Sequence, residues 1–269
     1  MVAYCDILVH LDGGISDGPC TEVAAQLARR YGARLTGLFA RTEHYIPSAV
    51  ARRASEALQA AAAAAETDFA QRCQGLPIRF WRLSHGDVGH VISETLICSR
   101  VSDLLVMGRY YQGKESPLEL VEQAIIESGR PCLIVPEHIP VKTVGDRVMI
   151  AWNGGREATR ALHDAMPILE AASCVDVVTI RHGSTTSNGE LVPPVSILDH
   201  LSAHGVAVNT EVLAAEDIGI MDLLLSRAYD QDIDLLVMGA HGGYQLPFFK
   251  GAGTRYILEH LTVPVLMAH

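Results

Sequence analysis

Residues 238–255 hold a group of residue types suited to holding an anion. Met238-Gly239-Ala240-His241-Gly242-Gly243 comes first, and ten residues separate Gly242 from Gly253-Thr254-Arg255. Glycines let a backbone approach a ligand closely and adopt positive φ. If Gly253 opens a helix, the unpaired N–H groups of its first turn attract an anion. Thr254 adds a hydroxyl and Arg255 a positive charge, so a diphosphate or triphosphate fits the pattern. Taken alone, the glycines also suit a plain turn that returns the chain to a sheet. A second stretch, Ala151-Trp152-Asn153-Gly154-Gly155, offers a side-chain amide for ribose or base and an indole for a base or for the core. His241 is the one nearby candidate for a general base.

These loops need strands to hold them, and the chain supplies two matching sets. Asp103-Leu104-Leu105-Val106-Met107-Gly108 recurs letter for letter as Asp234-Leu235-Leu236-Val237-Met238-Gly239, a shift of 234 − 103 = 131. Ile7–Gly14 matches Val148–Gly155 at a shift of 141, and Arg130–Ile134 matches Val263–Met267 at 133. Three matches in one order at nearly one shift mean a duplicated domain rather than a short-period solenoid. Each half alternates short apolar runs with longer helical stretches. In the first half strands are expected at Cys5–His10, Arg34–Ala40, Ile78–Leu83, Asp103–Met107 and Cys132–Val135, with a long helix over Ser48–Cys73. In the second they fall near Arg147–Ala151, Cys174–Ile180, Val206–Leu213, Leu235–Met238 and Val265–Met267. Uniformly apolar strands separated by helices imply a parallel sheet covered on both faces. Right-handed crossovers make it an open doubly wound sheet, and ligands sit at the carboxyl ends of such strands. The expected domains are 1–138 and 146–269, joined by a linker over Pro136–Asp146, which holds two prolines and one glycine. The Ser/Thr/Gly-rich stretch Gly183–Asn188 is expected to be a loop.

Composition narrows the function. Of 269 residues, 49% are hydrophobic, enough for two cores, and the net charge is −10, which disfavours nucleic acid as a partner. No apolar run reaches the ~18 residues of a membrane span, and Asp6 interrupts the first run, so a cytoplasmic protein is expected. The six cysteines include no C-x-x-C pair and read as buried reduced thiols. His200 and His204 are spaced i, i+4 on an expected helix and read as exposed residues rather than metal ligands. Without a Gly-x-x-x-x-Gly-Lys-Ser/Thr loop a P-loop NTPase is excluded, and the lack of a Gly-x-Ser-x-Gly elbow argues against an α/β hydrolase.

The whole chain resembles the universal stress protein family in tandem. The second half carries the resemblance as Trp152-Asn153-Gly154, Gly239-x2-Gly242, Gly253-Thr254 and Pro264-Val265. It departs at Asn153, where an acidic residue is common. The gap from Gly242 to Gly253 is also one residue longer than the family's, unless Ala252 takes the glycine position. The resemblance implies an adenine-nucleotide α-hydrolase-like fold, strand order 3-2-1-4-5, and ATP, alone or with Mg, as ligand. The expected contacts are Ala151, Trp152, Asn153, Ile180, Met238, Gly239, Gly242, Gly253, Thr254 and Arg255. The first half keeps Asp12-Gly13-Gly14 but aligns Glu119-Leu120-Val121 with Gly253-Thr254-Arg255, so its phosphate loop is degenerate. The family pairs two domains through their last strands, which a tandem chain can do internally as a pseudo-dimer, with or without further homodimerisation. A nucleotide-responsive stress protein with protein partners of unknown identity is the implied role. A slow ATPase or phosphotransferase and a nucleotide-free scaffold are the alternatives.

Overall fold

The computed structural model describes residues 3–42, 56–82, 88–109, 118–137, 142–182, 196–215, 219–241 and 252–269. The first half runs β1 (Asp6–Leu11), α1 (Asp17–Tyr31), β2 (Arg34–Phe39), α2 (Glu56–Arg72), β3 (Ile78–Arg82), α3 (Val88–Arg100), β4 (Leu104–Gly108), α4 (Leu118–Glu127) and β5 (Cys132–Val135). The second runs β6 (Arg147–Ala151), α5 (Arg156–Leu169), β7 (Cys174–His182), α6 (Ile197–Ala203), β8 (Val208–Ala215), α7 (Ile220–Asp230), β9 (Leu235–Gly239), α8 (Ala252–His260) and β10 (Val265–Ala268). The long helix expected from Ser48 is seen from Glu56, and its earlier part lies outside the described residues. So do the loop Gly183–Asn188 and residues 138–141 of the expected linker.

Strand order is β3-β2-β1-β4-β5-β10-β9-β6-β7-β8, so each half is a parallel 3-2-1-4-5 sheet. The two sheets join edge to edge into one of ten strands. The joint is antiparallel, with Val265, Leu266 and Met267 opposite Ile134, Leu133 and Cys132. All six of these side chains are fully buried, which stabilises the seam by roughly 1.5–3 kcal/mol for each larger aliphatic side chain. Pairing also removes two sheet edges that would otherwise expose backbone donors and acceptors.

Alternation along the strands sends successive side chains to opposite faces. Ile7, Val9 and Leu11 of β1, with Leu104 and Val106 of β4, meet α1, α2, α5 and α6. Leu8, Leu105 and Met107 meet α3, α4, α7 and α8. Both apolar layers run through both halves. The repeated Asp that opens the shared hexapeptide has a structural task. Asp103 Oδ2 accepts the N–H groups of Cys5 and Asp6 at 2.8 and 3.0 Å. Asp234 Oδ1 accepts those of Gly145, Asp146 and Arg147, each at 3.0 Å. Each carboxylate ties the start of its domain's fourth strand to that of the first through charge-assisted bonds. Cys5, expected to be buried, is exposed, because it precedes β1 at the open amino end of the sheet.

Candidate nucleotide site

The order of the second half reverses between β6 and β9, and a cavity of about 230 Å³ opens at their carboxyl ends. It brings together seven of the expected residues: Ala151, Trp152 and Asn153 after β6, Met238 and Gly239 at the end of β9, and Gly253 and Thr254 in the first turn of α8. Ile180 lies within β7. Gly242 lies outside the described residues. Arg255 turns away, and its guanidinium makes a two-pronged pair with Glu122 of the first half, at 2.9 and 3.1 Å. That pair crosses the seam.

Each cavity residue is held for a local reason. Gly239 is required by close packing, since a Cβ there would sit 2.4 Å from the Ala158 nitrogen and 2.5 Å from the Glu157 carbonyl carbon. The strand end therefore touches the start of α5 directly. Gly253 has room, since a Cβ would meet only the flexible end of Met221, with Cε at 3.3 Å. Asn153 Oδ1 accepts the Gly155 N–H at 2.8 Å, which leaves its NH2 as a donor. Thr254 is buried, and its hydroxyl accepts the His241 N–H at 2.8 Å. Trp152 is half-buried and serves both the cavity and the core layer beneath it. Sequence reasoning did not assign Glu157, Ala158, Val178, Ile220, Met221 and Leu224 to this lining. Ile220, Met221 and Leu224 come from α7, and only the fold brings that helix beside the start of α8. His241, singled out as a candidate base, also lines the cavity.

The matching place in the first half is chemically different. Asp12 Oδ1 accepts the Gly14 N–H at 2.8 Å, as Asn153 does for Gly155. Where Ala158 lines the cavity, the first half has Asp17 (158 − 17 = 141). The Asp17 carboxylate accepts the N–H groups of Asp12 and Gly13 at 3.1 and 2.9 Å. Burial above all, and then the Asp12 charge, raise Asp17 to about 7, against the opposing pull of those two N–H groups. α4 and α8 start 252 − 118 = 134 residues apart, so Leu120 and Val121 stand where Thr254 and Arg255 do. Both are buried, and the hydroxyl of Thr254 has no counterpart.

A larger cavity, about 500 Å³, lies along the seam, lined by Tyr4, Asp103, Arg130, His163, Glu170 and His204 among others. It sits at the amino ends of β1 and β4, where Asp103 already serves the local N–H groups. His200 is half-buried rather than exposed, because its ring packs edge to face between His163 and His204, each centroid 4.9 Å away. Among the described residues no group of three His, Cys, Asp or Glu side chains is placed to hold a metal ion. None of their helices is long and apolar enough to cross a membrane.

The fold has known counterparts. A universal stress protein from Archaeoglobus fulgidus DSM 4304 superposes over 98% of this chain and 97% of its own, with a TM-score of 0.74 and 16% identity. A protein of unknown function from Pseudomonas aeruginosa PAO1 superposes over 99% of this chain and 92% of its own, with a TM-score of 0.60 and 16% identity. No family model matches the chain, and no curated protein matches it. The chain therefore has the α/β fold of the universal stress proteins, in a tandem arrangement over its full length.

Proposed function

We propose that this chain is a tandem universal stress protein, with domains at 1–138 and 146–269, that binds ATP or a related adenine nucleotide in its second half and responds to it in the cytoplasm. The observation that carries the reading is the cavity at the β6/β9 reversal. There the Asn153 amide, the Gly239 and Gly253 backbone, and the start of α8 at Thr254 converge. An adenine ring fits against the apolar wall of Val178, Met221 and Leu224, and phosphates fit at the free N–H groups of α8. The first half sets Asp17 and Leu120 at the matching places, which favours one nucleotide per chain. A divalent ion would reach the site with the phosphates rather than through a protein cage. Among the described residues only His241 and Glu157 could act as a general base in the cavity, and neither is backed by a second residue that would complete a catalytic pair, so we favour ligand-dependent regulation of a partner-binding surface over catalysis. Mass spectrometry of nucleotide released from the denatured, purified protein tests this. ATP at about one per chain is expected. ADP alone would favour slow turnover, and an empty protein that ignores added ATP would overturn the reading.

A further inference from the structure

One ring in this cavity carries a buried polar atom that none of the described residues serves. His241 follows β9 in the left-handed region, with φ 57°. Its N–H donates to Thr254 Oγ1 at 2.8 Å, which fixes the backbone beside the start of α8. Its ring meets that of His269 edge to face, with centroids 6.3 Å apart. Its Nε2 is buried and has no hydrogen-bond partner among the described residues. Such an atom costs roughly 1–3 kcal/mol unless something pairs with it, so the site favours a ligand group that does.

The charge of that group follows from the surroundings. Burial lowers the proton affinity of His241. Glu122 on α4 raises it, while His269 and Arg255 lower it further. The Glu122 charge is largely taken up by its two-pronged pair with Arg255, and Glu157 lines the same cavity. The ring is therefore neutral near pH 7 in the empty site. An anion against Nε2 reverses the balance. It favours the imidazolium, and a charge-assisted bond is about twice as strong as a neutral one.

We propose that His241 is a proton-coupled selector for the anionic part of the ligand, taking up a proton as a phosphate group is seated. Phosphorylated adenine ligands then bind with proton uptake, and uncharged adenosine does not. This inference rests on the nucleotide reading of the cavity.

Calorimetry with ATP and with adenosine between pH 6 and 8, in two buffers of different ionisation heat, tests it on the wild type and on His241→Asn. Asparagine tolerates left-handed backbone and does not titrate. ATP titrates in this range too, so the difference between the two proteins is the reading. Wild-type affinity for ATP should rise by up to about tenfold per pH unit on acidification, beyond any rise in the variant. Up to one extra proton should be taken up, while adenosine binding stays flat. Equal pH slopes and equal proton uptake in the two proteins would overturn the proposal while leaving nucleotide binding intact. Should the variant fail to fold, NMR titration of the His241 ring in the wild type decides. Its pKa must rise on saturation with ATP, and an unchanged value overturns the proposal. Absence of ATP binding by the wild type at every pH would remove the nucleotide reading and this inference together.

Discussion

Gly253→Asp separates ligand binding from folding, because the two should move in different directions. Gly253 is the second residue of α8, and its φ lies outside the left-handed region. A Cβ there needs the Met221 Cε, 3.3 Å away, to shift by only a few tenths of an ångström. The substitution therefore fits. An acidic side chain in the first turn of a helix gains about 0.3–1 kcal/mol from the helix dipole, and aspartate is a slightly better helix former than glycine. Thermal stability should stay the same or rise slightly. Binding should fall, because the carboxylate stands among the N–H groups that would meet phosphate. Two unit charges about 5 Å apart at an effective dielectric of about 20 repel by about 3 kcal/mol. Salt and side-chain freedom at the cavity mouth reduce this to roughly 1.5–3 kcal/mol, a loss of about ten- to a hundredfold in affinity. Calorimetry with ATP, set beside thermal melts of the same samples, measures both quantities. If Gly253→Asp binds ATP within threefold of the wild type and melts normally, phosphate does not lie at the start of α8.

Three further outcomes follow from the geometry. Gly239→Ala forces a methyl against the start of α5 and should cost about 1–3 kcal/mol by overpacking, read as a lower denaturant midpoint; an unchanged midpoint would mean that β9 and α5 are not in direct contact. Folding raises Asp17 from its ordinary carboxylate value to about 7, so the folded state holds its proton more tightly than the unfolded chain, and stability falls as pH rises through that window. Asp17→Asn should therefore raise the melting temperature at pH 8 and do less at pH 4, and equal effects at both pH values would contradict the assignment. Burial, with His163 and His204, lowers His200 below its ordinary value, so its contribution runs the other way: stability is present above about pH 6.5 and is lost as pH falls below it. His200→Phe keeps the edge-to-face packing without a charge, and hydrogen exchange in α6 should then depend less on acidity between pH 7 and 5 than in the wild type; an identical dependence would clear the three imidazoles of that role.

Much of this protein was legible in one dimension because the signals are local or repeated. Short apolar runs mark the inner strands β4, β5, β9 and β10, which are buried on both faces, while the edge strands β3 and β8 carry polar residues. The letter-for-letter hexapeptide exposed the duplication, and the duplication allowed one half to be read against the other. It also showed that Gly242, Gly253 and Thr254 of the second half lack counterparts in the first, where Tyr111, Glu119 and Leu120 stand. The anion-binding character of Gly239, Gly253 and Thr254 was visible for the same reason, because backbone approach and helix starts are properties of a few neighbouring residues. Tertiary structure decided what depends on residues far apart in the chain. Arg255 carries its charge to Glu122, 133 positions away, rather than into the cavity. Met221 and Leu224 line the site only because α7 packs beside α8. The Asp103 and Asp234 carboxylates, which look like ordinary strand-flanking charges, close each sheet at its amino end. Asp17 holds its proton near neutral pH, and His241 loses its own, because burial changes the cost of charge, and burial is set by packing rather than by neighbours in the chain.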